Sequence, residues 1–273
     1  MINAIKKIGL YAIAIVFLIY MGYPILYLIS TSLKTQPEFF ESPFGLFTHF
    51  TLENYVAVIK EGLVTYFLNS ILVSSVSVFI VMLISALASY PLARMKFKLN
   101  RSLFLLFIVG MMLPVHATLI PIFRFSNSIG IYDTLLAIMG PYIAFALPIS
   151  IFILTQFMEE IPKSLEESAM MDGANRLRIF WHIILPMLKP ALVTVFIYNF
   201  ISIWNEFIFA LVLLSSNDKM TLPLGLRNFF GEYSTNVPAV MAAITLASLP
   251  LLLAYIFTQE RVTKGLSEGA VKG

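Results

Sequence analysis

The chain has 273 residues, 59% of them hydrophobic and 12% charged, with a mean hydropathy of +0.88 and a formal charge of +3. A soluble domain carries about twice that charged share, so a soluble globular enzyme, a disordered chain and a nucleic-acid binder of the basic-patch kind are excluded. With no cysteine there is no disulfide framework, thiolate metal site or cysteine nucleophile.

The first uncharged run, Ile8 to Leu33, predicts a transmembrane helix near 8–31. It exceeds the apolar region of a secretory signal and no small-x-small cleavage site follows, so it reads as a retained helix. A short outer segment, Lys34 to Thr65, carries Glu38, Glu41, Glu53 and Glu61. Uncharged or nearly uncharged runs then predict helices near 66–93, 102–121, 135–157, 191–214 and 238–258. Each reaches the roughly 20 residues that cross a bilayer as a helix, and helices satisfy the backbone within hydrocarbon. The expected fold is an all-α membrane protein, one domain over 1–273, with six transmembrane helices.

Basic residues set the expected orientation. Thirteen lie on one side: Lys6, Lys7, Arg94, Lys96, Lys98, Arg101, Lys163, Arg176, Arg178, Lys189, Arg261, Lys264 and Lys272. Five lie on the other: Lys34, Lys60, Arg124, Lys219 and Arg227. Both termini are therefore expected in the cytosol of a multi-pass plasma-membrane protein. The net positive charge is then a topology signal.

In the second helix Ser70, Ser74, Ser77, Ser85 and Ser89 share one face, which suits close helix packing or a solute path. Gly110, Pro114, Gly140, Pro141, Pro148 and Pro250 interrupt other spans as candidate hinges. Met111, Met112, Met170 and Met171 read as packing residues. His116 has no visible second ligand, so no metal site is expected.

The segment 159–190, between the fourth and fifth helices, is amphipathic. Ser164 and Glu167 have the spacing of a capping box, predicting a short helix from Leu165 to Met171. Gly173 suits its left-handed end. Asn175 then caps a second helix with Leu177, Phe180, Trp181 and Ile184 on one face, broken by Pro186 and Pro190. Two readings fit: an interfacial helix pair on the headgroups, or a docking element offering Glu166, Glu167 and Asp172 beside small Ser168 and Ala169.

The sequence Glu167-Ser168-Ala169, then Gly173, Ile183, Leu185 and Pro186, resembles the EAA signature of ABC importer permeases, with serine for the second position's alanine. Thr31-Ser32-Leu33-Lys34, Asn69-Ser70, Trp204-Asn205-Glu206-Phe207 and the C-terminal run Gly265 to Gly273 are similar to the maltose-type second permease of the carbohydrate-uptake group. That resemblance implies that the cytosolic segment is a coupling helix that docks on an ATP-binding subunit. It also implies a second, related permease, two ATPase subunits and an extracytoplasmic solute-binding protein. The chain has no Gly-x4-Gly-Lys-Ser/Thr loop. It is therefore expected to be a transport subunit without enzymatic activity or cofactor, with ATP and Mg on the partner ATPase.

Glu206 is the one charge inside a predicted span. On a continuous fifth helix Tyr198, Asn199, Ser202, Asn205, Glu206 and Phe209 fall within about 120°. This polar stripe suits either a sugar path, with amides and a carboxylate for hydroxyls and an aromatic for a pyranose face, or hydrogen bonding to the partner permease. Other solutes, such as a polyol or a glycerophosphodiester, fit the same frame. A secondary transporter is a rival, but it predicts inverted repeats and several intramembrane ionisable groups. The small, Gly-rich tail after Glu260 is either a frayed terminus or a contact for the ATPase subunits.

Overall fold

A computed structural model describes residues 2–230 and 236–270. Among them every regular element is helical. Side chains at 2–5, 8, 254, 255 and from 257 onward, and residues 1, 231–235 and 271–273, lie outside the described set, and the expectation for the tail falls there.

The chain forms two compact units, one of residues 1–67 and 224–250, the other of 68–223 and 251–273. In the first unit, α1 (Ile2–Ser32) leaves Leu10, Val16, Leu18, Tyr20 and Leu26 more than half exposed, as suits a helix facing lipid. Its C-terminal end enters a small polar knot with α2 (Gln36–Glu41) and α3 (Glu53–Val58). Lys34 is fully buried there because Nζ donates to the Ser42 carbonyl at 2.7 Å. Asn54 Nδ2 donates to the carbonyls of Ser32 and Lys34, and the Ser32 and Tyr55 hydroxyls lie 2.6 Å apart. Glu38 accepts the Thr48 N–H and hydroxyl. These bonds, the Thr48 N–H first, hold the Glu38 carboxyl below its ordinary pKa.

A π turn (Ile59–Leu63), with Gly62 at φ +99°, leads into α4 (Val64–Arg94). Much of α13 (Leu222–Phe230) and the first part of α14 (Val237–Ala270) complete this unit. Gly225 lies so close to the Tyr66 ring that a Cβ would enter it.

In the second unit, α4 and α7 (Leu135–Glu160) span the predicted 66–93 and 135–157 stretches as unbroken helices. Pro91, Pro141 and Pro148 are absorbed within them. The predicted 102–121 helix is corrected. Helix α5 (Asn100–Met111) stops before Pro114, and a 3-10 turn (Val115–Thr118) and α6 (Leu119–Ser128) follow at 91°. Pro114 lacks an N–H and disfavours helical backbone before it.

The predicted 191–214 helix is also corrected. Helix α11 (Lys189–Trp204) ends ten residues early and α12 (Ile208–Leu213) restarts after a break. Asn205 Nδ2 turns back to the Ile201 carbonyl, and Glu206 takes the N–H groups of Phe209 and Ala210, so polar side chains replace the helical ladder. The Asn217–Lys219 turn then leads toward α13.

By length and composition α1, α4 with its π turn, and α7 can each cross a membrane. The α5–α6 pair, and α11 with the helical segment before it, pass together as bent pairs, and Val237–Leu253 is a shorter apolar stretch.

Candidate functional site

Helix α8 (Ser164–Met171) begins one residue earlier than its spacing predicts, and the capping box does not form. Lys163 is already helical (φ −64°, ψ −25°), and its carbonyl accepts the Glu166 and Glu167 N–H groups at 3.0 Å. Ser164 is thereby drawn into the first turn, away from the capping position. Glu166 and Glu167 sit where the helix dipole favours acids. The C-terminal end matches its expectation: Gly173 has φ +80°, Ala174 N–H reaches the Ala169 carbonyl at 2.9 Å and Gly173 N–H reaches Met170 at 3.0 Å. This is a Schellman closure. Asn175 Oδ1 accepts the Arg178 N–H at 2.9 Å and caps α9 (Arg176–Ile179).

A π turn (Phe180–Ile184) and α10 (Leu185–Met187) follow. The wider turn changes the buried face. Ile179, Phe180, Ile184 and Leu188 enter a core with Ala86 and Tyr90 of α4 and Leu154 and Met158 of α7, while Leu177 and Trp181 stay exposed.

Glu166 is where the structure departs most from a docking surface. It is buried and forms an ion pair with Arg94, Nε to Oε1 at 2.7 Å. Tyr90 donates its hydroxyl to Oε2 at 3.3 Å, and Arg94 Nη2 donates to the Ile161 carbonyl at 2.6 Å. Glu166 is therefore a strut that bolts α8 to the end of α4. Arg94 counted only toward topology in the sequence, and Tyr90 carried no signal beyond its place one turn before Arg94.

Glu167, Ser168, Met171 and Asp172 are exposed, and Ala169 is half-buried. A cleft of about 440 Å³ beside them is bordered by Lys96, Lys163, Glu167, Met170 and Arg176. Ile183 and Leu185 are half-buried and Pro186 is exposed.

The predicted stripe does not share one surface: packing against Ser150 buries Asn199 within α11, and the break after Trp204 redirects Glu206 and Phe209. Asn199 is buried and donates to Ser150 Oγ at 2.9 Å and to the Val195 carbonyl. Phe209 is buried against Phe145 and Tyr142, with ring centroids 5.9 and 6.3 Å away. Tyr198, Ser202 and Asn205 are exposed. Glu206 lies between these sets: Oε2 accepts the Tyr142 hydroxyl at 2.5 Å, and Oε1 accepts Phe209 N–H at 2.9 Å. The carboxylate is thus paired and caps α12, a role that the sequence did not reveal because Tyr142 lies 64 positions earlier.

Ser70, Ser74, Ser77, Ser85 and Ser89 of α4 are all buried. Ser89 donates to the Ile151 carbonyl at 3.1 Å, while Ser70 accepts the Leu222 N–H at 2.7 Å. Asn69 donates to the carbonyls of Asp218 and Met220, each at 2.9 Å. Nearby, Asp133 (φ +59°) binds the N–H groups of Ser215 and Ser216 and the Ser216 hydroxyl. Burial pushes its carboxyl up, but these bonds and Lys219 at 3.6 Å outweigh it and hold the pKa down at about 2. Among the described residues no group of three His, Asp or Glu side chains is placed to hold a metal ion.

A charge-poor helical chain, broken at two predicted spans and carrying a helix–glycine–helix hairpin packed on α4 and α7, has the character of a multi-pass membrane protein. Residues 81–268 match the family described as the binding-protein-dependent transport system inner membrane component, and the chain belongs to that family, as a permease subunit of an ABC importer. A protein of Caldicellulosiruptor sp. (strain Rt8B.4) that carries the name ABC transporter permease protein is 47% identical, over 92% of this chain and 91% of its own. The trehalose/maltose transport system permease protein of Thermococcus litoralis is 35% identical over 99% of both chains. The melibiose/raffinose/stachyose import permease of Bacillus subtilis is 33% identical over 92% of this chain and 91% of its own. Among solved structures, a chain of a bacterial ABC transporter that imports the acidic polysaccharide alginate superposes with a TM-score of 0.85. It is 25% identical, with 94% of this chain and 96% of that one covered.

Proposed function

We propose that this permease forms half of the translocation path for a sugar or oligosaccharide, delivered by an extracytoplasmic binding protein and driven by ATP hydrolysis on two separate ATPase subunits. The observation that carries the reading is α8, with signature spacing from Glu167 to Pro186, pinned to the long helix α4 through Arg94 and Glu166. Motion imposed on α8 passes to α4 through this pair and through the apolar core beneath α9. Glu167, Ser168, Ala169, Asp172 and Gly173 form the contact surface for the ATPase, and ATP and Mg belong to that partner.

Six spans, α1, α4, α5–α6, α7, α11–α12 and α14, put both termini in the cytosol of a bacterial or archaeal plasma membrane, as one permease domain. That count places the hairpin and the basic-rich segments on one side. A second, related permease supplies the other half of the path. Tyr198, Ser202 and Asn205 lie on the exposed side of α11 and suit sugar hydroxyls and a pyranose face, whereas Asn199, Glu206 and Phe209 hold the break in shape. The carbohydrate assignment rests on relatives named for trehalose, maltose, melibiose and raffinose.

The test is a panel of mono- and oligosaccharides against the binding protein encoded beside this permease. Uptake of the bound sugars into proteoliposomes holding the whole complex follows. ATP-dependent uptake of a sugar supports the reading; binding and uptake of a non-carbohydrate alone refutes it.

A further inference from the structure

We propose that the cleft at the junction of α4, α5 and α7 binds the phosphodiester headgroup of an anionic membrane phospholipid of the phosphatidylglycerol class. The cleft is open along one side and has a volume of about 690 Å³. Lys96, Lys98 and Arg101, from the α4–α5 connection and the first turn of α5, supply three cations to its lining. Glu159 supplies one carboxylate, so the lining carries a net charge of +2.

A second observation points to a ligand. Thr155 is 2% exposed and lines the cleft, yet its Oγ1 has no hydrogen-bond partner among the described residues. A buried hydroxyl without a partner costs free energy unless something satisfies it. Thr155 stands one helical turn from Glu159, so hydroxyl and carboxylate share one face of α7. A phosphodiester suits the three cations, and the hydroxyls of a glycerol headgroup suit Glu159 and Thr155.

The remaining lining selects a lipid over a soluble phosphate. Phe97 and Phe104 bring aromatic surface to the cleft, Phe104 stacking on Phe152 at 6.2 Å. Asn100 Nδ2 fixes the turn that presents the cations, through the Leu92 and Met95 carbonyls at 3.0 and 2.7 Å. Beyond the cleft, α5 runs on with Leu105 and Val109 exposed one and two turns past Arg101, an apolar track for an acyl chain. Basic pockets at the cytosolic ends of transmembrane helices are suited to anionic headgroups. The placement rests on the proposed orientation, and its test is independent of which solute is carried.

The experiment uses the whole transporter in nanodiscs of phosphatidylcholine doped with a photoactivatable phosphatidylglycerol whose reactive group is on the headgroup. Crosslinks are expected in peptides covering 96–104 and 155–159, competed by unlabelled phosphatidylglycerol and unaffected by millimolar inorganic phosphate. The K96Q/K98Q/R101Q variant, checked for assembly with its partners, should lose at least about tenfold of this labelling. Thr155→Val should weaken it while leaving every charge in place. Labelling spread evenly over all lipid-facing peptides overturns the proposal. So does equal competition by inorganic phosphate, which assigns the cleft to a soluble anion.

Discussion

Replacing Arg94 by methionine strips Glu166 of its cation while leaving it buried. The pair is closed to solvent, with side chains 3% and 10% exposed, and the carboxylate keeps the Tyr90 hydroxyl at 3.3 Å. Removing one partner of a buried pair costs ~3–5 kcal/mol, chiefly for the charge left behind. The retained tyrosine bond and the position near the end of α4 put Arg94→Met near ~3 kcal/mol. Glu166→Leu leaves the buried Arg94 cation with only the Ile161 carbonyl and costs ~3 kcal/mol. Replacing both, Arg94→Met with Glu166→Leu, removes both charges and returns stability to within ~1 kcal/mol of the parent. The coupling energy in the double-mutant cycle is then at least ~2 kcal/mol.

The assay is denaturant unfolding of the purified transporter in nanodiscs, paired with ATP-driven uptake in proteoliposomes. The single variants should be less stable and hydrolyse ATP with reduced uptake. The double variant should recover stability while keeping lower uptake per ATP, because an apolar contact lacks the directed bonds that fix α8 on α4. Additive single effects, with a coupling energy under ~0.5 kcal/mol, refute the strut.

Glu206→Ala removes the cap of α12 and the acceptor of the Tyr142 hydroxyl, and should cost ~1–2 kcal/mol with loss of uptake. Glu206→Gln keeps one acceptor oxygen and should assemble normally with reduced uptake; unchanged uptake at matched expression contradicts a role for the carboxylate in shaping the break. Gly173→Val forces a β-branched residue to φ +80° and should cost ~1–2 kcal/mol, releasing the ATPase on purification; full retention of the ATPase contradicts the docking role. The Asp133 carboxyl is held at about 2, below its ordinary 3.8. Its contribution is therefore complete above the ordinary value and lost as pH falls toward 2. Asp133→Asn should flatten the pH dependence of unfolding in that window, and an unchanged slope refutes that contribution.

The parts of this molecule legible in its sequence are those decided by local chemistry. Long uncharged runs mark α4 and α7, and Gly173 and Asn175 mark the turn and cap of the hairpin. What stayed hidden depends on partners far along the chain. Lys34 reads as an outer surface charge until the Ser42 carbonyl meets it. Glu166 reads as a docking charge until Arg94 reaches it across 72 positions of sequence. Helical periodicity placed Asn199 and Glu206 on one stripe because it assumes an unbroken helix. The break after Trp204 is written in polar side chains that compete with the backbone, and Glu206 gains its second anchor only from Tyr142 on α7. Pro114 is visible as an interruption, but its 91° bend is not.

Sugar uptake driven by ATP through α8 is the central claim, and one reconstitution tests it directly. Proteoliposomes carrying this permease, its partner permease and the ATPase subunits, with the binding protein added, should accumulate labelled sugar only with ATP present, at a rate indifferent to a proton or sodium gradient. Gly173→Asp should abolish both uptake and recovery of the ATPase with the permease. Accumulation driven by an ion gradient without ATP, or undiminished ATP-driven uptake by the Gly173→Asp transporter, contradicts the account.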